Sequence, residues 1–182
     1  MNKTLLSAAL IAGFGIAAFA PQAAHASDGT ITITGKVVAQ TCKVDGNAFG
    51  TSDAVAVNLP LVLAPVLTTS GAVAGKTSFQ MAVTGCDASL STVQAFFTGT
   101  NIDPTSGNLT NAGTATKVQV QLLNSSSIVM PLNGTTAALQ QSPVVALSAG
   151  AATLQYFAQY ISTGGSTAGT VTTSVAFTMN YL

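Results

Sequence analysis

The chain has no glutamate, no arginine and no tryptophan, and its 182 residues include a single histidine, five lysines and five aspartates. Only 5% of the residues are charged and the formal net charge is zero, so there is no basic stripe with which to grip phosphates, and no nucleic acid is expected as a partner. Disorder is disfavoured as well, because disordered chains are poor in apolar residues and 48% of this one is hydrophobic. The lone histidine, His25, falls in a segment that reads as removable. What is left lacks the usual acids, bases and metal ligands, so composition speaks against an enzyme, a metal site or a cofactor before any motif is read. The length suits one domain of ordinary size.

What is present starts with an address. Lys3 precedes an apolar run from Leu5 to Ala20, and Pro21 leads to the small-x-small triplet Ala24-His25-Ala26. A positive start, an apolar stretch and such a triplet make a secretory signal peptide. The run is too short for the roughly 20 residues that span hydrocarbon. Cleavage is expected after Ala26. Ala18-Phe19-Ala20 also fits, but Pro21 would then follow the cut directly. Residues 1–26 are therefore read as signal peptide. Loss of Lys3 leaves four lysines against five aspartates, a formal charge of −1. No later segment is apolar enough to insert in a membrane, so an exported protein is expected.

Export gives Cys42 and Cys86 a meaning. A pair of thiols in an oxidising compartment usually closes. A loop of this size is assigned about 4 kcal/mol by the chain-entropy description. A structural zinc ion would want four nitrogen or sulfur ligands, and the processed chain offers two thiols and no imidazole.

The rest reads as strands. Val, Ile, Thr and Phe alternate with polar residues over 30–41, 54–59, 77–84, 93–100, 117–123, 153–161 and 170–182. Turns are signalled by Asp45-Gly46-Asn47, Asp103 to Gly107, Asn133-Gly134 and Gly164-Gly165-Ser166. Helical patterning is weak, at most one turn over 137–141. Seven or so short strands fit an all-β sandwich of immunoglobulin-like kind. The triplets at Asn108, Asn124 and Asn133 match a glycosylation pattern and are read as chance.

The two ends carry the most information. Over 170–182, Val171, Thr173, Val175, Phe177, Met179 and Tyr181 point one way, and Thr172, Ser174, Thr178 and Asn180 the other. An apolar row on a final strand with no charge, proline or bulge to blunt it invites pairing with another chain. The alternative is an ordinary core strand. Near the start, Gly29, Ile31, Ile33, Gly35 and Val37 share one face, and Thr30, Thr32, Thr34 and Lys36 the other. A strand of about nine residues reaches roughly 30 Å, the length of a sandwich. A spare strand at one end thus matches a groove at the other.

These residues resemble the major fimbrial subunits (type 1-like pilins) of the bacterial chaperone–usher pathway. The resemblance runs from Gly29-Thr30-Ile31 through Val37-Val38 to Cys42, on through Phe79-Gln80 to Cys86-Asp87, and through 95–100, 118–123 and 156–160. Most specific is the C-terminal pattern of a glycine fourteen residues from the end (Gly169), alternating apolar residues and a penultimate aromatic (Tyr181). The resemblance implies an incomplete immunoglobulin-like β-sandwich lacking its last strand, over 38–182, preceded by a donor strand over 27–37. It implies self-association by strand addition, a mode of recognition in which an extended segment joins an exposed sheet edge. Ile31 and Ile33 would fill central pockets, Gly35 the constricted one and Val37 the pocket where exchange begins. Gly169, Val171, Val175, Phe177, Met179, Tyr181 and Leu182 would receive the strand. The implied partners are neighbouring copies, tip or adaptor subunits, a periplasmic chaperone that anchors the Leu182 carboxylate, and an outer-membrane usher. The implied location is the cell-surface fimbrium.

Two other readings differ in function. A minor or adaptor subunit would share all these features. A glycan- or receptor-binding adhesin would usually need a separate lectin domain ahead of the pilin domain, and the length leaves no room for one. Type IV pilins need an early glutamate in a long apolar helix, and sortase-built pili an LPxTG-like signal; the sequence has neither.

Overall fold

The computed structural model describes residues 42–45, 47–48 and 55–182. The expected signal peptide, the expected strand 30–41 and the donor residues Gly29, Ile31, Ile33, Gly35 and Val37 lie outside the described residues.

Runs of alternating β-branched and aromatic residues become strands wherever a neighbour is there to pair with them. The elements in chain order are β1 (Lys43–Val44), β2 (Asn47–Ala48), a 3-10 turn (Ala64–Leu67), β3 (Val73–Thr84), β4 (Thr92–Thr98), β5 (Leu109–Thr110), β6 (Val118–Asn124), β7 (Val145–Ala146), β8 (Ala152–Ser162) and β9 (Ala176–Tyr181). They form two sheets, ordered β2-β1-β3-β8-β6-β5 and β7-β4-β9. All the ladders between them are antiparallel.

The inward faces of both sheets share one core. Met81 and Val83 of β3, Val120 and Leu122 of β6 and Leu154, Tyr156 and Ala158 of β8 meet Val93, Ala95 and Phe97 of β4 and Met179 of β9. Tyr156 joins the two layers: its ring stacks on Phe79 at 5.6 Å and meets Phe97 edge-on at 5.4 Å. Such ring pairs add about 0.5–1.5 kcal/mol beyond the area they bury. The phenol lies 3.1 Å from the Ser142 hydroxyl, and burial pushes its pKa up. Cys42 and Cys86 are joined, as expected, which staples the segment entering β1 to the end of β3.

Three departures from the sequence reading have physical causes. Residues 55–59 alternate in burial yet belong to no ladder among the described residues. Only the second half of 170–182 is laddered, as β9. Period-two patterning reports a face to bury, and a ladder also needs a neighbour. β3 starts four residues before the expected 77 because its register against β8 breaks between Ala74 and Thr77. Gly75 sits in that break at φ +69°, where a Cβ would come within 2.9 Å of the Tyr160 ring. The expected turn over 137–141 is present, with Gln140 N–H donating to Thr136 O and Ser142 N–H to Ala137 O.

Candidate binding groove

The alternating residues of the final segment hand their backbone groups to two different sides. Leu182 and Thr92 exchange both backbone hydrogen bonds, at 3.0 and 2.9 Å. In an antiparallel ladder such pairs recur at every second residue. The even-numbered residues of β9 therefore face β4, with Asn180 opposite Gln94 and Thr178 opposite Phe96. Further up, the same parity holds without a strand as partner. Thr172 O accepts from Ala112 N–H at 2.8 Å and Thr170 O from Ala115 N–H at 3.0 Å. Thr172 N–H donates to Asn111 Oδ1 and Thr170 N–H to Thr114 Oγ1, at 2.8 and 2.9 Å. So 170–182 is one extended strand, clamped on one side first by the 111–115 loop and then by β4.

Its other side has no ladder partner among the described residues. Among the described residues, Val171, Thr173, Val175, Phe177 and Met179 make no backbone hydrogen bond. Facing them across a groove is 55–62, which likewise makes no backbone hydrogen bond among the described residues. The groove encloses about 590 Å³; Val55, Val57 and Leu59 form one wall, and Val171, Thr173, Val175 and Phe177 the other. Its floor is apolar, built by Phe79 and Met81 of β3, Val120 and Leu122 of β6, and Ala158 and Tyr160 of β8. Thr173 Oγ1 is buried there with no hydrogen-bond partner among the described residues. Two unpaired edges with an apolar trough between them are costly to leave open, since backbone amides and carbonyls away from water need partners.

The seven residues assigned to this site from the sequence occupy three levels. Val171, Val175 and Phe177 line the groove itself. Met179, 7% exposed, and Tyr181 continue the row below it, packed into the shared core. Gly169 sits above, in a second hollow of about 340 Å³ bounded by Leu61, Leu63, Leu67, Tyr160 and Val171. A Cβ on Gly169 would run into the backbone of Ala115, so the glycine permits the close approach on which the clamp depends. Leu182 closes the lower end: its carbonyl accepts from the Ser91 and Thr92 amides and the Ser91 hydroxyl, and its side chain is exposed.

Nothing local in the sequence marks the opposite wall. The alternation Val55, Val57, Leu59 was visible but reads like any core strand, and nothing local says that its edge is unpaired. Gln140 is likewise unmarked by any local pattern. Its buried carboxamide accepts from Phe97 N–H at 2.9 Å and donates to Phe97 O at 2.7 Å and Leu132 O at 2.8 Å, as a strand residue would.

Two antiparallel sheets over one core, with a strand-wide opening beside the last strand, define an incomplete immunoglobulin-like sandwich. The same fold occurs in the P pilus rod subunit PapA, at TM-score 0.58 and 16% identity over 78% of this chain and 99% of that one. A chaperone–usher pilus shares it too, at TM-score 0.59 and 19% identity over 90% of this chain and 100% of the other. The chain belongs to the family of the type-1 fimbrial protein, A (FimA), whose sequence profile matches residues 59–182. It is 42% identical to the major fimbrial subunit SMF-1 of Stenotrophomonas maltophilia over 170 residues, 90% of this chain and 98% of that protein. It is likewise 42% identical to the F17 fimbrial protein of Escherichia coli over 173 residues, 91% and 94% of the two chains.

Proposed function

We propose that this protein is a structural subunit of a bacterial surface fimbrium, polymerising head to tail as residues 27–37 of each copy fill the groove of the next. The observation that carries this reading is the pair of bare edges flanking an apolar trough. An added strand would give both edges partners and cover the trough at once. Ile31, Ile33 and Val37 would each contribute about 1.5–3 kcal/mol through burial. Gly35 would occupy the constricted pocket that the family resemblance implies. The contact is heterologous, so it propagates instead of closing and yields a filament.

In this reading residues 1–26 direct export and are removed, and 38–182 form the pilin body. A periplasmic chaperone occupies the groove first and holds the Leu182 carboxylate. At an outer-membrane usher the next subunit's strand replaces it. The role is mechanical rather than catalytic, and it supports adhesion by building the fibre.

The test is Gly35→Arg in the exporting cell. Subunits should accumulate bound to chaperone while filaments disappear from negative-stain images. Filaments of normal number and length would refute the reading.

A further inference from the structure

The groove runs between two poles of the sandwich, and one pole is unusually apolar. Leu61 is 91% exposed, Leu63 69% and Val66 52%, all on or beside the 3-10 turn, and Leu61 and Leu63 line the upper hollow. That turn is tied to the segment preceding Gly169, with Ser166 N–H donating to Leu67 O and Gly165 N–H to Thr68 O. The opposite pole carries Cys42, bonded to Cys86, and Leu182 bonded to Thr92. β3 runs from one pole to the other, and its 12 residues correspond to about 36 Å.

Strand donation, the proposed function on which this inference rests, fixes which surface comes to the apolar pole. The two walls run in opposite directions, 55–62 toward the Leu61 pole and 170–182 away from it, so an incoming strand is antiparallel to one and parallel to the other. It is taken to run antiparallel to 170–182, the wall already held in an antiparallel ladder by β4. That places Gly29 beside Met179 and Val37 beside Val171, at the Leu61 pole. The reverse direction would bring the Cys42 poles of two copies together. Each copy's own extension leaves from that pole, so growth there would be crowded. From Val37 to Cys42 there are five residue steps, which span at most about 18 Å. The donor's Cys42 must therefore lie within that reach of Val171, which shares the upper hollow with Leu61 and Leu63. The exposed residues of the Cys42–Cys86 pole include Ala88 and Ser89 of the turn after Cys86, and Ser148 and Ala149 of the turn before β8. These four are small and uncharged, unlike the exposed Lys43 of the same pole, and leave a patch on which leucine and valine side chains can seat.

We propose that Leu61, Leu63 and Val66 form a pole-to-pole seat for the neighbouring copy's Ala88 and Ala149 turns. The seat is separate from the groove and restrains bending at the joint between subunits. A photo-crosslinking residue at position 175 and, separately, at position 63 tests it in intact filaments. Position 175 should capture a neighbour's 27–37 peptide, and position 63 a peptide containing Ala88 or Ala149. Capture of 27–37 at position 175, with a different peptide or none at position 63, overturns the seat and leaves strand donation standing. Failure to capture 27–37 at position 175 overturns strand donation and the seat with it. As a second measurement, Leu61→Ser combined with Leu63→Ser should leave filaments assembled but lower their persistence length at least twofold. An unchanged persistence length also overturns the proposal.

Discussion

A single buried carboxamide shows how this sandwich manages with short strands. β7 covers only the first two residues of β4, Thr92 and Val93. Farther along that edge, Gln94 Nε2 donates to Ser142 O at 2.6 Å, and Gln140 takes both backbone groups of Phe97. Gln140 is 0% exposed and its Nε2 also reaches Leu132 O and Gly134 O. Gln140→Ala strands these groups, so a loss of about 3 kcal/mol is expected in urea unfolding of the peptide-complemented subunit. Gln140→Leu restores volume without polarity and should be no better. If leucine recovers most of the stability, packing rather than hydrogen bonding is what Gln140 supplies. None of this was legible beforehand, because a Gln-Gln pair in a Thr-rich turn reads as solvent-facing. The row Val171, Val175, Phe177, Met179 was legible, because period-two alternation reports which face is buried however the edge is paired.

At the scale of elements, the last strand is held in two halves by unlike means. The lower half has β4; the upper half has a loop that imitates a strand through Asn111, Thr114 and Thr170. Two glycines allow the halves to align. A Cβ on Gly113 would meet Thr170 O, and one on Gly169 the Ala115 amide. Gly113→Ala should push Thr170 and Val171 away and misplace the upper groove wall. A 27–37 peptide should then bind at least tenfold more weakly, while unfolding of the peptide-free core changes little. Equal affinities in a titration would mean that the clamp does not set the wall. The sequence marked Gly169 only through family resemblance, since the contact that requires it lies with residues more than fifty positions away. It marked 54–59 and 170–182 as strands, and of these only 176–181 is in a ladder among the described residues. Which of them lack a ladder depends on neighbours, and that is a property of topology rather than of local pattern. The disulfide was legible from compartment and count. Replacing Cys42 and Cys86 by serine frees the point from which the 27–41 segment departs. By the chain-entropy account it should cost about 4 kcal/mol in the same unfolding measurement.

For the molecule as a whole, the missing residue types set how stability follows pH. Apart from the chain termini and the disulfide-bonded cysteines, no group after His25 has an ordinary pKa between about 5 and 9. Asp103 is held below its usual 3.8, first by the Ser106 amide and then by that of Thr105. Its contribution is therefore present at neutral pH and lost as pH falls through the acid range. Tyr156 is raised above 10.0, chiefly by burial. The unfolded chain ionises that phenol first, so stability declines as pH climbs past about 10. Between these limits the urea midpoint should be flat, and a fibre exposed to changing surroundings would keep its joints. A step centred near pH 6.5 would instead require that His25 is still attached and engaged in the folded subunit. Cleavage after Ala26 would then be wrong, and the strand preceding Cys42 would begin within a longer N-terminal arm.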